Sequence, residues 1–177
     1  RYAVAHPDRL AGLILVDAGG RPMPKGASLP LGFRLARVPV ARDILASVTP
    51  RSLIEQSFKQ SVSNQAIATP AMVDRYWELL LYPGNRRATV QRFGQYSGDD
   101  GAAAKLKGLA VPTLILWGRE DKLIPVSVAA WFSQMIPGAR VTILDGIGHI
   151  PMEEAPDRSL APVLDLLGKV APPASAA

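Results

Sequence analysis

Val111-Pro-Thr-Leu-Ile-Leu-Trp-Gly-Arg-Glu-Asp121 and, further along, Arg140-Val-Thr-Ile-Leu-Asp-Gly-Ile-Gly-His149 share one construction. Each begins with a short apolar run rich in branched side chains, passes through glycine, and ends on a side chain that can hold or move a proton. A continuous apolar run of strand length, bounded by turn residues, is the pattern of a strand buried on both faces. Pro112 fits such a strand only near its start. Between the two runs Pro125 opens a helix in which Val128, Trp131, Phe132 and Met135 recur at helical spacing, and Gly138 closes it. A strand–helix–strand order predicts a parallel pair. Ligands of open parallel sheets bind beyond the carboxyl ends of the strands. Asp121 and His149 are therefore both expected at the reactive edge, with Gly118, Gly146 and Gly148 letting the backbone turn and approach a ligand closely.

On the N-terminal side, Leu10-Ala-Gly-Leu-Ile-Leu-Val16 is a third run of the same kind, ended by Asp17-Ala-Gly-Gly20. Before it, Arg1 to His6 reads as a helix end, stopped by Pro7. The middle of the chain changes character. It opens with the Pro/Gly-rich Arg21-Pro-Met-Pro-Lys-Gly26 and then shows helical periodicity without strand signals. Thr49-Pro50 and Thr69-Pro70 each place an N-cap residue ahead of a proline at the first helical position. After the second, Met72, Val73, Tyr76, Trp77 and Leu80 share one face, and Tyr82-Pro-Gly-Asn85 turns into another short helix. Helices with apolar faces and no strand must pack on something else, which suits a lid over a core. Beyond His149 a last helix is expected to bury Leu160, Val163, Leu164 and Leu167 on one side, with Pro162 kinking it or delaying its start. Residues 171–177 read as a frayed tail.

Composition narrows the function classes. Of 177 residues 48% are hydrophobic and 20% charged, which is the composition of a globular domain with its own core. The uninterrupted apolar runs are far too short for a membrane span. With no cysteine there are no disulfides, thiolate zinc sites or cysteine nucleophiles, and two histidines are too few for a histidine-rich metal site. The net charge of +5 is concentrated in residues 19–110, where 13 Lys/Arg face 6 Asp/Glu. These charges are dispersed, as on solvated helix faces, and no aromatic and basic residues interleave as nucleic-acid stacking requires. Nucleic acid is not an expected partner. The chain begins at Arg1 in mid-pattern, and three parallel strands with an open edge make an incomplete sheet, so a missing start is expected. Exposure of Leu10–Val16 would then favour aggregation. No targeting segment is visible, which leaves localisation open with the cytoplasm as default.

The motifs now become specific. Gly118-x-x-Asp121-x-x-x-Pro125 after one strand, and Gly148-His149-Ile-Pro-Met-Glu-Glu-Ala-Pro156 after the next, resemble the acid and histidine segments of the α/β-hydrolase superfamily. Arg1-Tyr-Ala-Val-Ala-His-Pro-Asp-Arg-Leu10 resembles the end of the helix that follows that family's nucleophile elbow. The resemblance implies an α/β fold, namely the C-terminal part of an α/β-hydrolase parallel sheet with an inserted all-helical cap. Residues 1–18 and 109–170 would form the core, and residues 19–108 the cap insertion.

By the same resemblance Asp121 is the triad acid and His149 the general base, in the chain order this fold uses. No Gly-x-Ser-x-Gly occurs in the sequence, so the elbow and the oxyanion-hole segment would lie upstream of Arg1. The implied activity is that of a serine-type carboxylic ester hydrolase, inactive or nearly so without that part. Relatives of this fold that open epoxides, or break carbon–halogen or carbon–carbon bonds, give the alternative reaction, and a non-catalytic binding module is the alternative class. The expected substrate is a small, uncharged, ester-like molecule, and no cofactor or metal is implied. Trp77, Ile124 and Ile150 are candidate lining residues, as are Met72 and Tyr76, although an aromatic stripe at helical spacing is also ordinary packing. Asp17 ends a strand and is an alternative acid, His6 reads as structural, and Glu120 and Glu153 read as polar turn residues.

Overall fold

A computed structural model describes residues 1–20, 31–94 and 105–170. The three apolar runs form β1 (Leu13–Val16), β2 (Thr113–Gly118) and β3 (Arg140–Leu144), paired in parallel as one sheet in the order β1-β2-β3. Leu13 lies opposite Thr113, and Leu114 opposite Arg140. β2 is central, and all six of its residues are buried. Its side chains divide by the period of two. Ile115 and Trp117 face Val128, Ala129 and Phe132 of α7 (Ser127–Met135), whereas Leu114 and Leu116 pack with Leu144, Ile147 and, from α9 (Pro156–Leu167), Val163 and Leu166. A large apolar side chain buried this fully contributes about 1.5–3 kcal/mol, so β2 anchors both layers. The flanking strands are less enclosed. β1 begins at Leu13 instead of Leu10, because residues 7–9 take a 3₁₀ turn that Leu10 ends, and its residues are half-buried. The expectation of a strand buried on both faces holds for β2 and not for β1, which has a strand on one side among the described residues.

Ahead of the sheet, α1 (Tyr2–Ala5) ends at His6, whose ring lies 4.9 Å from that of Tyr2. Between β1 and β2 the described residues are helical: α2 (Leu31–Leu35), α3 (Pro39–Ser47), α4 (Arg51–Ser61), α5 (Pro70–Leu81) and α6 (Asn85–Gly94). Residues 21–30, 95–104 and the tail 171–177, with the readings that fall on them, lie outside the described residues. Thr69 caps α5 as its sequence dictates, its hydroxyl accepting from Met72 N–H at 3.2 Å. Thr49 does not cap α4. Its hydroxyl donates to the Leu45 carbonyl at 2.9 Å, satisfying the end of α3, and α4 starts at Arg51 with Pro50 extended ahead of it. The segment has a core of its own in Ala36, Leu45 and Val90, with Leu53 and Phe93 packed against it.

The last helix departs from its expected face. α8 (Pro151–Glu154) precedes it, and α9 runs through Pro162 instead of starting after it. Ser159 and Pro162 are buried and Val163 and Leu166 half-buried, while Leu160, Leu164 and Leu167 are exposed. Apolar residues occupy both sides of this helix, so periodicity alone chose the Leu160–Leu164–Leu167 stripe, whereas Val163 and Leu166 pack on the sheet. No helix among the described residues is long and apolar enough to cross a membrane.

Candidate active site

Asp121 sits on the loop that leaves β2, and the loop is shaped around its carboxylate. Oδ1 accepts the backbone N–H groups of Leu123 at 2.7 Å and Ile124 at 2.9 Å, the local bonding pattern that short acidic side chains favour after a strand. Oδ2 faces Nδ1 of His149 at 2.8 Å. A carboxylate only accepts, so Nδ1 carries the proton and donates it, leaving Nε2 of the neutral ring as an acceptor. The Asp121 side chain is fully shielded from solvent and that of His149 is 25% exposed. This combination holds one end of the imidazole in a dry, fixed hydrogen bond and leaves the ring partly open to a reactant.

His149 is held from behind by elements far apart in the chain. Its backbone N–H donates to the Ser61 carbonyl at the end of α4, at 2.7 Å. Glu154 Oε2 accepts from Gly148 N–H at 2.6 Å, and Oε1 accepts from Ser63 and Asn64 N–H at 2.8 and 2.7 Å. One carboxylate thus ties the histidine loop to the chain leaving α4. Glu120 plays a similar part between the two loops, exchanging hydrogen bonds with Ile147 through its N–H and its Oε2, each at 3.0 Å. Sequence reading took Glu120 for a turn residue and passed over Glu154, whose partners are 90 and 91 positions away. The glycines work differently from expectation too. A Cβ on Gly118 would lie 2.0 Å from the Gly148 carbonyl oxygen, and one on Gly148 would lie 2.6 Å from that of Ser61. Both admit another stretch of backbone, where the expectation was a ligand.

Asp17 ends β1 beside this pair. The His149 ring pairs with Asp121 and not with Asp17, whose Oδ1 instead accepts from Gly118 N–H at 2.9 Å. One ligand atom each from Asp17, Asp121 and His149 lie within 4.8 Å of one another. Burial pushes the Asp17 carboxyl up to about 9, with the Gly118 hydrogen bond opposing and the neighbouring Asp121 and Glu154 adding to the rise. Although three such groups can hold a cation, both Asp121 oxygens and Nδ1 already satisfy one another and the loop N–H groups, so a metal would have to break the hydrogen bonds that shape the site.

Of the candidate lining residues, Ile124 and Ile150 belong to the Asp121 and His149 loops themselves. Ile124 gives its N–H to Asp121 and its carbonyl to the Trp117 indole at 3.0 Å. Ile150 is half-buried where α8 begins. Trp77 lies on α5, with its indole N–H donating to the Thr49 carbonyl at 3.2 Å. Tyr76 donates to Glu153 Oε1 at 3.0 Å and its ring lies 5.1 Å from that of Phe58, tilted by 55°, so Glu153 also joins α5 to the region after His149.

Known proteins are similar to this chain. The epoxide hydrolase EphH of Mycobacterium tuberculosis is 29% identical over 133 residues, covering 72% of this chain and 53% of that protein. The 2-hydroxymuconate semialdehyde hydrolase of Pseudomonas putida is 25% identical over 160 residues, covering 88% and 53%. This chain therefore spans about half the length of these two curated relatives. Among solved structures, a thermophilic esterase from Thermogutta terrifontis superposes with a TM-score of 0.72 at 24% identity, over 95% of this chain and 59% of that one. A lipase-like protein from Acinetobacter baumannii reaches 0.67 at 26%, over 94% and 56%. The sequence model of the alpha/beta hydrolase family matches residues 1–162, which take in all three strands, the helical segment and both the Asp121 and His149 loops, and the chain accordingly belongs to the alpha/beta hydrolase family.

Proposed function

We propose that Asp121 and His149 are the acid and the base of a serine-type hydrolase acting on a small, uncharged carboxylic ester. The observation that carries this reading is the 2.8 Å hydrogen bond from His149 Nδ1 to an Asp121 carboxylate whose other oxygen is already taken by two backbone N–H groups. The acid thereby fixes the tautomer in which Nε2 is free to accept. His149 takes the proton from a serine hydroxyl as that oxygen attacks the ester carbonyl, then returns it to the departing alcohol, and Asp121 stabilises the imidazolium formed in between. Residues 31–94 act in this reading as part of a cap, with Trp77 of the cap and Ile124 and Ile150 of the core loops as substrate-facing side chains. The sequence contains no Gly-x-Ser-x-Gly, so the reading gives this chain an acid and a base and assigns it no nucleophile.

Turnover of nitrophenyl esters tests the proposal, measured on the 177-residue chain and on a longer polypeptide that carries it together with a Gly-x-Ser-x-Gly serine. The longer form should hydrolyse the ester, and His149→Ala or Asp121→Asn should lower its rate by about 10²–10⁴. An unchanged rate in both variants would overturn the assignment. A second reaction is favoured by the similarity to an epoxide hydrolase, since the same acid–base pair can activate water against an ester formed on an aspartate nucleophile. Turnover of an epoxide but not of the nitrophenyl ester would select it, and turnover of neither would favour a binding module.

A further inference from the structure

Asp17 is a buried carboxylate that the proposed reaction does not use. It is 3% exposed, and its φ of +41° is the left-handed conformation that aspartate tolerates and most residues avoid. The residue is fixed from three directions. Its N–H donates to the Leu116 carbonyl at 3.1 Å, its Oδ1 accepts from Gly118 N–H at 2.9 Å, and it abuts Asp121 and His149. Its Oδ2 is buried with no hydrogen-bond donor to satisfy it. An ionised oxygen in that position would be both unsolvated and close to a second carboxylate, each of which costs free energy that nothing nearby returns. The charged groups facing it are Asp121 on the loop after β2 and, from the region after β3, Glu154, with the His149 ring closing the cluster.

A proton on Oδ2 removes every difficulty at once. The unsatisfied acceptor becomes a donor, and beside it lies the Asp121 carboxylate, which already receives N–H groups from Leu123, Ile124 and His149. We propose that Asp17 is a neutral carboxylic acid whose Oδ2–H donates to the Asp121 carboxylate, making it a positioning residue that holds the acid against His149. The inference deepens the acid–base reading of Asp121 and His149 and rests on it for its functional meaning. In this arrangement Gly118 N–H orients Asp17, Asp17 orients Asp121, and Asp121 orients the imidazole. The three strand ends are thereby coupled through one hydrogen-bond chain, with Asp17 from β1, Asp121 from β2 and His149 from β3.

Carbon-13 NMR of the chain labelled at aspartate Cγ tests the proton directly, with Asp17→Asn assigning the signal by its loss. Asp17 should give the protonated-carboxyl shift at neutral pH and titrate near pH 9; a carboxylate shift at neutral pH overturns the proposal. The coupling is read from the low-field Nδ1–H resonance of His149. Asp17→Asn keeps a donor and should retain that resonance, whereas Asp17→Gly suits the positive φ, removes the donor, and should shift or abolish it. An unmoved resonance in Asp17→Gly overturns the positioning role, and stoichiometric binding of zinc or manganese at the cluster overturns the protonated state. None of these readouts depends on turnover. An ester assay that fails while the protonated Asp17 and its coupling persist counts against the hydrolase reading, and an ionised Asp17 beside normal hydrolysis counts against this inference alone.

Discussion

Gly118 carries the sharpest requirement on any single residue. Asp121 can be chemically correct and still miss His149 if the backbone of β2 cannot come within touching distance of the histidine loop. With a Cβ at Gly118 placed 2.0 Å from the Gly148 oxygen and 2.5 Å from that of Ile147, the loop must move, because both atoms are backbone. Gly118→Ala is expected to destabilise the chain by at least about 1–3 kcal/mol and to lose the His149 Nδ1–H resonance. Gly108 is the control, since a Cβ there meets nothing within 4 Å. Denaturant midpoints for the two variants that coincide would remove the argument for close approach. The sequence did mark these glycines, but for turning and for close approach to a ligand. That Gly118 admits the backbone of Gly148, and Gly148 that of Ser61, is a fact about segments far apart in the chain, and none of them encodes it alone.

At the scale of elements, Glu154 latches the helical segment to the histidine loop, alongside the backbone bond from His149 to Ser61 and the Tyr76–Glu153 hydrogen bond. Glu154 accepts three backbone N–H groups, one from its own loop and two from the chain after α4. Hydrogen bonds to a charged acceptor are worth more than neutral ones, and a buried donor left unsatisfied costs about 1–3 kcal/mol. Glu154→Gln offers one acceptor oxygen in place of two and must release one side of the latch. The amides of Ser63, Asn64 or Gly148 should then exchange faster with solvent while those of β2 remain protected; uniform protection across all of them would mean that the latch carries no local stability. Elements themselves were legible to differing degrees. β2 is a continuous apolar run, α5 has an apolar face and the Thr69 cap, and α7 has an apolar face, so their sequences name them. α9 has apolar residues on two sides, and its buried face was settled by the sheet.

For the whole molecule, the burial of Asp17 makes stability depend on pH. A carboxyl raised from its ordinary 3.8 to about 9 keeps its proton in the folded state where the unfolded chain has lost it. The contribution is fully present below about pH 3.8 and is lost as pH rises through about 9, so this group makes the fold less stable with increasing pH across that window. Asp17→Asn abolishes the proton difference. The stability of the variant relative to the parent should therefore grow by up to about 1.4 kcal/mol per pH unit from acid to alkaline conditions. Chemical denaturation at a series of pH values measures this, and a constant difference would mean that Asp17 ionises normally when folded.

The sequence alone determined the three strand-forming runs, the helical stretch between the first and second, and the placing of Asp121 and His149 at two strand ends. Each of these is written within a few consecutive residues, where apolar periodicity and turn chemistry act. Tertiary structure alone decided that Asp17 would lie against the pair, that Glu154 would reach Ser63 across 91 positions, and that α9 would turn Leu160, Leu164 and Leu167 outward. Those outcomes depend on which loops a parallel sheet gathers at one edge and on how buried carboxylates find donors there. Such pairings are fixed by packing in three dimensions, and no local pattern carries them.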